Sequence, residues 1–498
     1  MPSRVPERRM PSRTQPMMLS RLILGNFKAY DGVVDVPLRR ITLLFGANSG
    51  GKSTIIQSLL LLKQSQGDLP LLSMANDSLV LRGDQVDLGS FVSMVHGHDL
   101  SRSVTIGASS NDPGEPGSSI VLRQESLDSN IEVVRQELRI FGQVMQLLPG
   151  SSGEGREGRS EIRPGRQSIY RGEVSAFAKA LLNHENREAL DRVFVDLDWE
   201  QCLTDPEFIG RFVRRGALGL NIRDFERADG LTQADIESDW DYQEDGDARP
   251  RFGPGSGDQD HPTNAVLNDV VGSVNRMSGM IGRLSYLGPL RAMPERLHVA
   301  SGERVRGVGS AGENVVSVLA GSPRDLDRVN AVLVQMGIPY ELSIKKLTDP
   351  DTLGAIGEIY SLLLRDTRNG VGVAATDVGF GISQVLPVIV ECLNSRGGPL
   401  IIEQPEIHLH PALQTQLADL FVEASSRGRQ IIAETHSEHL ILRLQRLVRR
   451  GLIAPDEISV LYVGGGRVDR LRLNERGEFI DEWPGGFFDE RLEELFGD

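Results

Sequence analysis

Residues 46–53 read Gly46-Ala47-Asn48-Ser49-Gly50-Gly51-Lys52-Ser53 and satisfy the phosphate-loop pattern GxxxxGK[ST]. The apolar stretch Ile41 to Phe45 runs just before them, and Thr54 to Lys63, rich in Ile, Leu and Gln, reads as a helix just after. A strand, a glycine-rich turn and a helix, in that order, are what give the pattern its meaning. Glycines let backbone N–H groups turn inward around phosphate oxygens, and a helix N-terminus adds partial positive charge. Gly46 to Thr54 are therefore expected to cradle a nucleoside triphosphate. Lys52 would reach its β- and γ-phosphates and the Ser53 hydroxyl would ligate Mg2+.

A second dense region supplies what such a loop needs. Pro399 to Glu406 is an apolar strand ending in carboxylates, where a phosphate-loop ATPase keeps its Mg2+-binding acid, here Glu403. The helix Ala412 to Ala424 follows, and then a second apolar strand, Gln430 to Ala433, which ends in Glu434-Thr435-His436-Ser437. A histidine one strand away from the acid is placed to contact the γ-phosphate or its attacking water. Upstream, the glycine-serine turn Asp377 to Gln384 opens the apolar helix Val385 to Leu393 and makes another anion site.

Composition bounds the rest. A chain of 498 residues is too long for one simple core, and 39% hydrophobic with 25% charged residues is ordinary for a globular protein. No run of eighteen apolar residues exists, so no membrane span is expected. Cys202 and Cys392 lie far apart without a CxxC partner, which argues against a disulfide framework or zinc site and fits a reducing cytoplasm. With a net charge of −15, any DNA contact would have to come from a local basic face. Arg443, Arg446 and Arg450 on one helix, and Arg211, Arg214 and Arg215, are such clusters; a solvated surface is the simpler reading.

Punctuation by Gly and Pro divides the chain. Residues 1–18, with Arg4, Arg8, Arg9 and Arg13 and no apolar core, read as a disordered arm. Residues 19–110 read as the first half of the ATPase lobe, with strands Leu19–Leu24, Gly32–Val36, Leu79–Leu81 and Ser103–Ile106. Residues 111–283 read as a central insertion: a strand pair over Ile131–Leu148, a mobile loop over Pro149–Pro164, helical spacing over Phe177–Asp198, and an acidic, disordered or lid-like stretch over Asp229–Pro262. Residues 284–447 form the second half, with a helix over Asp325–Met336 and strands over Tyr340–Lys345 and Ile356–Leu364. Residues 448–498 read as a small C-terminal domain whose Trp483, Phe487 and Phe488 either pack on the core or meet a partner. Long heptads are absent, which argues against a coiled-coil arm.

Together these motifs resemble ABC-type ATPases, in the branch that holds RecF and the overcoming-lysogenization-defect (OLD) ATPases. Within it, the chain looks like bacterial AAA-family ATPases with a short C-terminal domain of unknown function. The resemblance covers Leu19 to about Gly107 and Leu284 to Asp498, carried by Gly46–Ser53 (Walker A), Gly379–Gln384 (signature-like), Leu400–Glu406 (Walker B-like), Leu409–Pro411 (D-loop-like) and Glu434–Ser437 (switch histidine). It implies an α/β fold of the P-loop NTPase type, an ABC-ATPase-like split core with a mixed sheet flanked by helices. It also implies a head-to-tail homodimer around ATP and Mg2+, in which Gly379, Gly381, Ser383 and Gln384 of one protomer face the Walker A loop of the other. Relatives work in anti-phage defence beside a nuclease. Since about fifty residues after Leu447 are too few for a nuclease domain, a separate effector protein is expected. A RecF-like repair ATPase that binds DNA under ATP control is the alternative, and a scaffold that binds ATP without hydrolysing it is a second.

One departure bears on chemistry. The family's usual Asp-Glu pair is Glu403-Gln404 here, and a glutamine cannot accept a proton from water. Either Glu406 or Glu434 takes over as base, or hydrolysis is slow; slow hydrolysis is expected, with Gln404, Glu406 and His436 as the catalytic set. His408 and His410 read as D-loop-like residues rather than metal ligands. Arg291, in Gly288-Pro-Leu-Arg291, reads either as a reporter of nucleotide state or as a buried structural arginine.

Overall fold

A computed structural model describes residues 17–65, 79–111, 115, 117–140, 143–149, 167–168, 240–242, 248–250, 276–300, 305, 307–347, 357–394 and 398–484. The first strands are β1 (Leu19–Gly25), β2 (Val33–Pro37) and β3 (Ile41–Phe45), followed by helix α1 (Lys52–Gln64) and the one-turn α2 (Phe91–Met94). Next come β4 (Val104–Ser110), β5 (Gly117–Arg123), β6 (Glu132–Ile140), β7 (Gln143–Pro149) and β8 (Gln167–Ser168). β9 (Trp240–Tyr242) and β10 (Ala248–Pro250) form a separate antiparallel pair.

The second half opens with a helical stretch over 276–282, then β11 (Ser285–Leu287) and β12 (His298–Val299). Helices α3 (Val315–Ala320) and α4 (Pro323–Gln335) precede β13 (Tyr340–Lys346), β14 (Ile359–Asp366) and β15 (Gly372–Ala374). The chain continues with α5 (Phe380–Leu393), β16 (Leu400–Glu403), α6 (Pro411–Ser426), β17 (Ile431–Glu434) and α7 (Glu438–Arg449), and ends in β18 (Ile458–Gly464) and β19 (Arg467–Leu471).

Four sheets organise these elements, the smallest being the β9–β10 pair. The one that matters for function has the order β11-β16-β17-β3-β18-β19, parallel except for the β18–β19 hairpin. Its central strands read ITLLF, LIIE and IIAE, and nearly every residue is buried. Unbroken apolar runs of this kind are what strands covered on both faces require. Fully burying one such Leu or Ile contributes about 1.5–3 kcal/mol. One face packs on the core that includes α1, the other on the core that includes α5, α6 and α7. A mixed α/β architecture of this kind, with helices on both faces, is the one expected.

Helix starts follow local chemistry. Ser322 caps α4 by accepting from Asp325 N–H, with Pro323 at the first helical position, and Ser437 caps α7 through Leu440 N–H. His410 caps α6, its Nδ1 accepting from Ala412 N–H at 3.3 Å.

Several segments differ from expectation. Leu79–Leu81 is not a strand: Leu79 and Leu81 pack on the core, while the Gln64 amide takes the place of a neighbouring strand by donating to Val80 O and Val86 O and accepting from Val86 N–H. The second sheet, β2-β1-β4-β5-β6-β7-β8, runs straight past residue 110, so β5, β6 and β7 continue the first lobe's sheet. Within the acidic stretch 229–262, β9 and β10 pair as strands. β18 pairs in parallel with β3, so residues expected in a separate C-terminal domain complete the nucleotide-side sheet. The signature-like turn is shorter than expected, α5 beginning at Phe380. The expectations for residues 1–16, 150–164, 177–198, Arg211 to Arg215, Cys202, and Phe487 with Phe488 lie outside the described residues.

Candidate nucleotide site

The loop between β3 and α1 is built around two close approaches. Gly46 has φ +136°, and a Cβ there would lie 2.0 Å from the Val463 carbonyl oxygen of β18; at Gly50 it would lie 2.6 Å from the same atom. No side chain larger than hydrogen fits at either point. Gly51, at φ +111°, caps α1 in a left-handed conformation, and no side chain caps that helix. Its first turn is thus left for an anion. The buried Tyr30 hydroxyl fixes the turn by donating to Gly51 O at 3.0 Å. Ala47, Asn48, Ser49 and Ser53 are exposed along the loop's outer side, with Ser49 at φ +63°, while Thr54 is buried in the first helical turn.

Lys52 is 3% exposed and its Nζ donates to Gly46 O at 2.9 Å and Ala47 O at 3.0 Å. It also lies 3.8 Å from Glu434 Oε1. Ser53 Oγ donates to Glu434 Oε2 at 3.3 Å. Burial lowers the Lys52 pKa against the opposing pull of Glu434. Burial raises that of Glu434, and the neighbouring Glu403 charge adds to it.

Parallel register sets the second carboxylate. Glu403 at the end of β16 is the partner of Glu434 at the end of β17, which in turn is the partner of Leu44 in β3. Glu403 Oε1 accepts from the Tyr286 hydroxyl at 2.8 Å, and burial raises its pKa as well. Arg291, 6% exposed, donates to Glu403 O at 2.9 Å and Gln404 O at 3.3 Å. Burial pulls its pKa down to about 10, with Glu406 and Glu403 opposing. Its burial and carbonyl partners fit a structural arginine, at a turn that borders the candidate site. It braces a turn in which Gln404 holds φ +45° and donates its N–H to Glu434 O at 2.8 Å.

Glu406 is 9% exposed. Its Oε1 accepts from His436 N–H at 2.7 Å, and its Oε2 is buried with no partner among the described residues. The His436 side is exposed, and partial burial together with Lys52 lowers the imidazole pKa, which favours the neutral ring.

The signature-like residues sit at the start of α5. Gly379 is exposed, Gly381 and Ser383 are half-buried, and Gln384 is buried with Nε2 unpartnered among the described residues. A Cβ on Gly381 would meet His408 O at 3.2 Å, so this turn rests on the D-loop-like segment. Arg296 pairs bidentately with Asp377 at its start. His408 is exposed at φ +60°, and among the described residues no three His, Cys, Asp or Glu side chains gather as a metal cage.

The donor set nonetheless suits Mg2+: a serine hydroxyl and one or two buried carboxylates, with nucleotide phosphates to complete it, is how this ion is usually held. Sequence reading missed Tyr286, and it underrated Glu434, whose partners Lys52 and Ser53 are almost the whole chain away.

No curated protein matches this sequence. Among solved structures, the Smc head domain with an extended coiled coil bound to the C-terminal domain of ScpA, derived from Pyrococcus furiosus, is similar at 12% identity, covering 96% of this chain and 99% of that one, with a TM-score of 0.39. The SMC head domain from Thermotoga maritima is similar at 9% identity, over 92% and 99% of the two chains, with a TM-score of 0.35. The family described as "AAA domain, putative AbiEii toxin, Type IV TA system" matches residues 41–443, from the start of β3 into α7, and the chain belongs to that family.

Proposed function

We propose that this chain is an ATPase that binds ATP with Mg2+ at the β3–α1 loop and hydrolyses it slowly. The observation that carries this reading is the convergence of Lys52 and Ser53, at the N-terminus of α1, on the strand-end carboxylate Glu434. Bound Mg2+ would neutralise charge between the β- and γ-phosphates. Lys52 would exchange its loop carbonyl partners for phosphate oxygens. Glu406 Oε2, buried and unpartnered, would accept the proton of the attacking water, and the neutral His436 ring would orient that water or the γ-phosphate. Gln404 stands where the family resemblance expects the base, which supports slow turnover.

Pairing of two copies head to tail follows from the resemblance. It is supported by the exposed Gly379 and by the exposed apolar side chains of Leu290, Met293 and Leu297 on the strap that Arg296 ties to Asp377. The family description names a toxin of a type IV toxin–antitoxin system, which supports work beside a partner of such a pair; a separate effector and a part in phage defence follow from the resemblance alone. The basic face of α7 supports DNA binding less, because Arg443 pairs with Asp419 at 2.9 Å.

The test is ATP turnover and oligomer mass of the purified chain beside Lys52→Ala. Phosphate release by the wild type that is lost in the variant supports the reading; a wild type that binds no nucleotide ends it. Gln404 favours one second reading, a switch held by nucleotide without turnover. An ATP-dependent dimer with no phosphate release would establish that instead.

A further inference from the structure

The segment after β16 and the loop after β17 are tied to each other twice. One tie is the bond from His436 N–H to Glu406. The other is made by Gln414, in the first turn of α6, which no motif of the sequence marks. Its amide is used at both ends. Oε1 accepts from the Ser437 hydroxyl at 2.7 Å, and Nε2 donates to Leu409 O at 3.0 Å. A carbonyl can only accept, so the amide nitrogen has to face Leu409.

Both partners sit at sensitive places. Ser437 follows His436 directly and is 4% exposed. Its N–H is held by Thr435 Oγ1 at 3.0 Å, and its oxygen caps α7, which leaves the hydroxyl proton for Gln414. Leu409 is buried in the D-loop-like segment, beside His408 at φ +60°. That segment in turn meets the start of α5: a Cβ on Gly381 would lie 3.2 Å from His408 O and 3.8 Å from Leu409 Cδ2. One side chain thus joins the loop that carries His436 to the backbone on which Gly381 rests. Both bonds are partly shielded from water, so their partners follow the amide instead of exchanging it for solvent.

On the reading that the loop holds ATP and Mg2+ with His436 near the γ-phosphate, we propose that Gln414 is a positioning residue that couples the two. It carries a displacement of the His436–Ser437 loop to Leu409 and His408, and through them to the signature-like turn at the start of α5. Gln414 takes no part in the chemistry; it sets how far the turn 379–383 registers what the phosphate loop holds. Such coupling needs a contiguous path of packed and hydrogen-bonded groups, and Ser437, Gln414, Leu409 and Gly381 form one.

The experiment is hydrogen exchange of the full chain, read by mass spectrometry with and without the non-hydrolysable analogue AMPPNP and Mg2+. The protein is kept dilute enough that mass photometry shows single copies. Wild type, Gln414→Met and Gln414→Glu are compared after thermal melts show that each is folded. In the wild type, nucleotide should slow exchange at residues 46–54 and at residues 377–386. Gln414→Met keeps the length of the side chain and removes both bonds. It should keep the slowing at 46–54 and hold AMPPNP affinity within about threefold, yet lose about fivefold or more of the protection that nucleotide gives at 377–386. Gln414→Glu still accepts from Ser437 but sets a carboxylate oxygen against Leu409 O, and should behave like Gln414→Met. A residue that merely held α6 in place would change exchange at 377–386 equally with and without nucleotide. That result, or a wild type that responds at 46–54 but not at 377–386, would overturn the coupling while leaving the ATP reading in place. A wild type with no response at 46–54 and no binding of AMPPNP by calorimetry would overturn both.

Discussion

Glu406, in the turn after β16, accepts a hydrogen bond of 2.7 Å from the backbone N–H of His436, just past the end of β17. One oxygen of this acid ties two strand ends together, and the other is buried without a partner among the described residues. An unpaired buried acceptor costs about 1–3 kcal/mol, a cost that a site can recover when water or substrate arrives. Glu406→Gln is therefore expected to lower ATP turnover about 100-fold with nucleotide affinity little changed. Steady-state phosphate release, with calorimetric binding in parallel, checks it; wild-type turnover in the variant would remove Glu406 from the chemistry.

Gln404 offers the converse test. Its backbone is locked by Arg291 and by its own N–H bond to Glu434 O, so exchanging its side chain should leave the turn intact. Gln404→Glu supplies a proton acceptor and is expected to raise turnover about tenfold or more. If phosphate release does not rise, the slow step lies outside proton transfer from water.

Far from the loop, Glu391 of α5 pairs with Arg429, just before β17, at 2.5 Å, and both side chains are almost wholly buried. Glu391 also accepts from Val308 N–H at 3.1 Å, and Arg429 donates to Ser285 Oγ at 3.0 Å. Glu391→Ala strands a buried guanidinium and should cost about 3–5 kcal/mol in chemical denaturation. The double change Glu391→Leu with Arg429→Met should recover most of it. Additive losses in the double variant would show that the surrounding packing, not the pair, carries the stability.

The chain's last described segment carries a pH dependence. Arg472 side-chain and backbone N–H groups hold the Asp481 carboxyl down to about 2, against 3.8 for an ordinary aspartate. A depressed folded-state pKa contributes stability above pH 3.8 that is lost as pH falls toward 2. Just beyond it, Trp483 packs edge-on against Phe45 and Phe479, with centroids 5.9 and 5.1 Å away. In a background with Trp199 and Trp240 changed to Phe, the acid transition of Trp483 fluorescence should fall near pH 2. Arg472→Ala should move it toward pH 3.8. Coincident transitions in the two proteins would refute the pairing as its cause.

How much was legible depended on whether the signal was local. Gly46 to Ser53, the buried runs of β3, β16 and β17, and the capping serines all announce themselves within a few residues. Strand neighbours do not. β5 to β7 pair with their neighbours in sequence, but the Gly and Pro after residue 110 read as a boundary where the sheet in fact continues. That β18 lies beside β3 is a pairing over a long separation that no period in the sequence encodes. Tyr286 was missed for the same reason, because its value lies in facing Glu403 across the β11–β16 pair. The Leu79–Leu81 stretch misled because alternation records burial on one side, and here a glutamine side chain replaced the strand that would have paired with it.

The contact of Gly46 and Gly50 with the Val463 carbonyl has a consequence for biogenesis. The backbone against which Gly46 and Gly50 close belongs to β18, far along the chain from the loop, so the emerging N-terminal portion lacks that wall while it is still being synthesised. Long-range closure of this kind comes late in folding. Competence to take up nucleotide thus doubles as a proofreading mark: a message cut short before β18 yields a polypeptide that carries the motif yet lacks the strand against which Gly46 and Gly50 close.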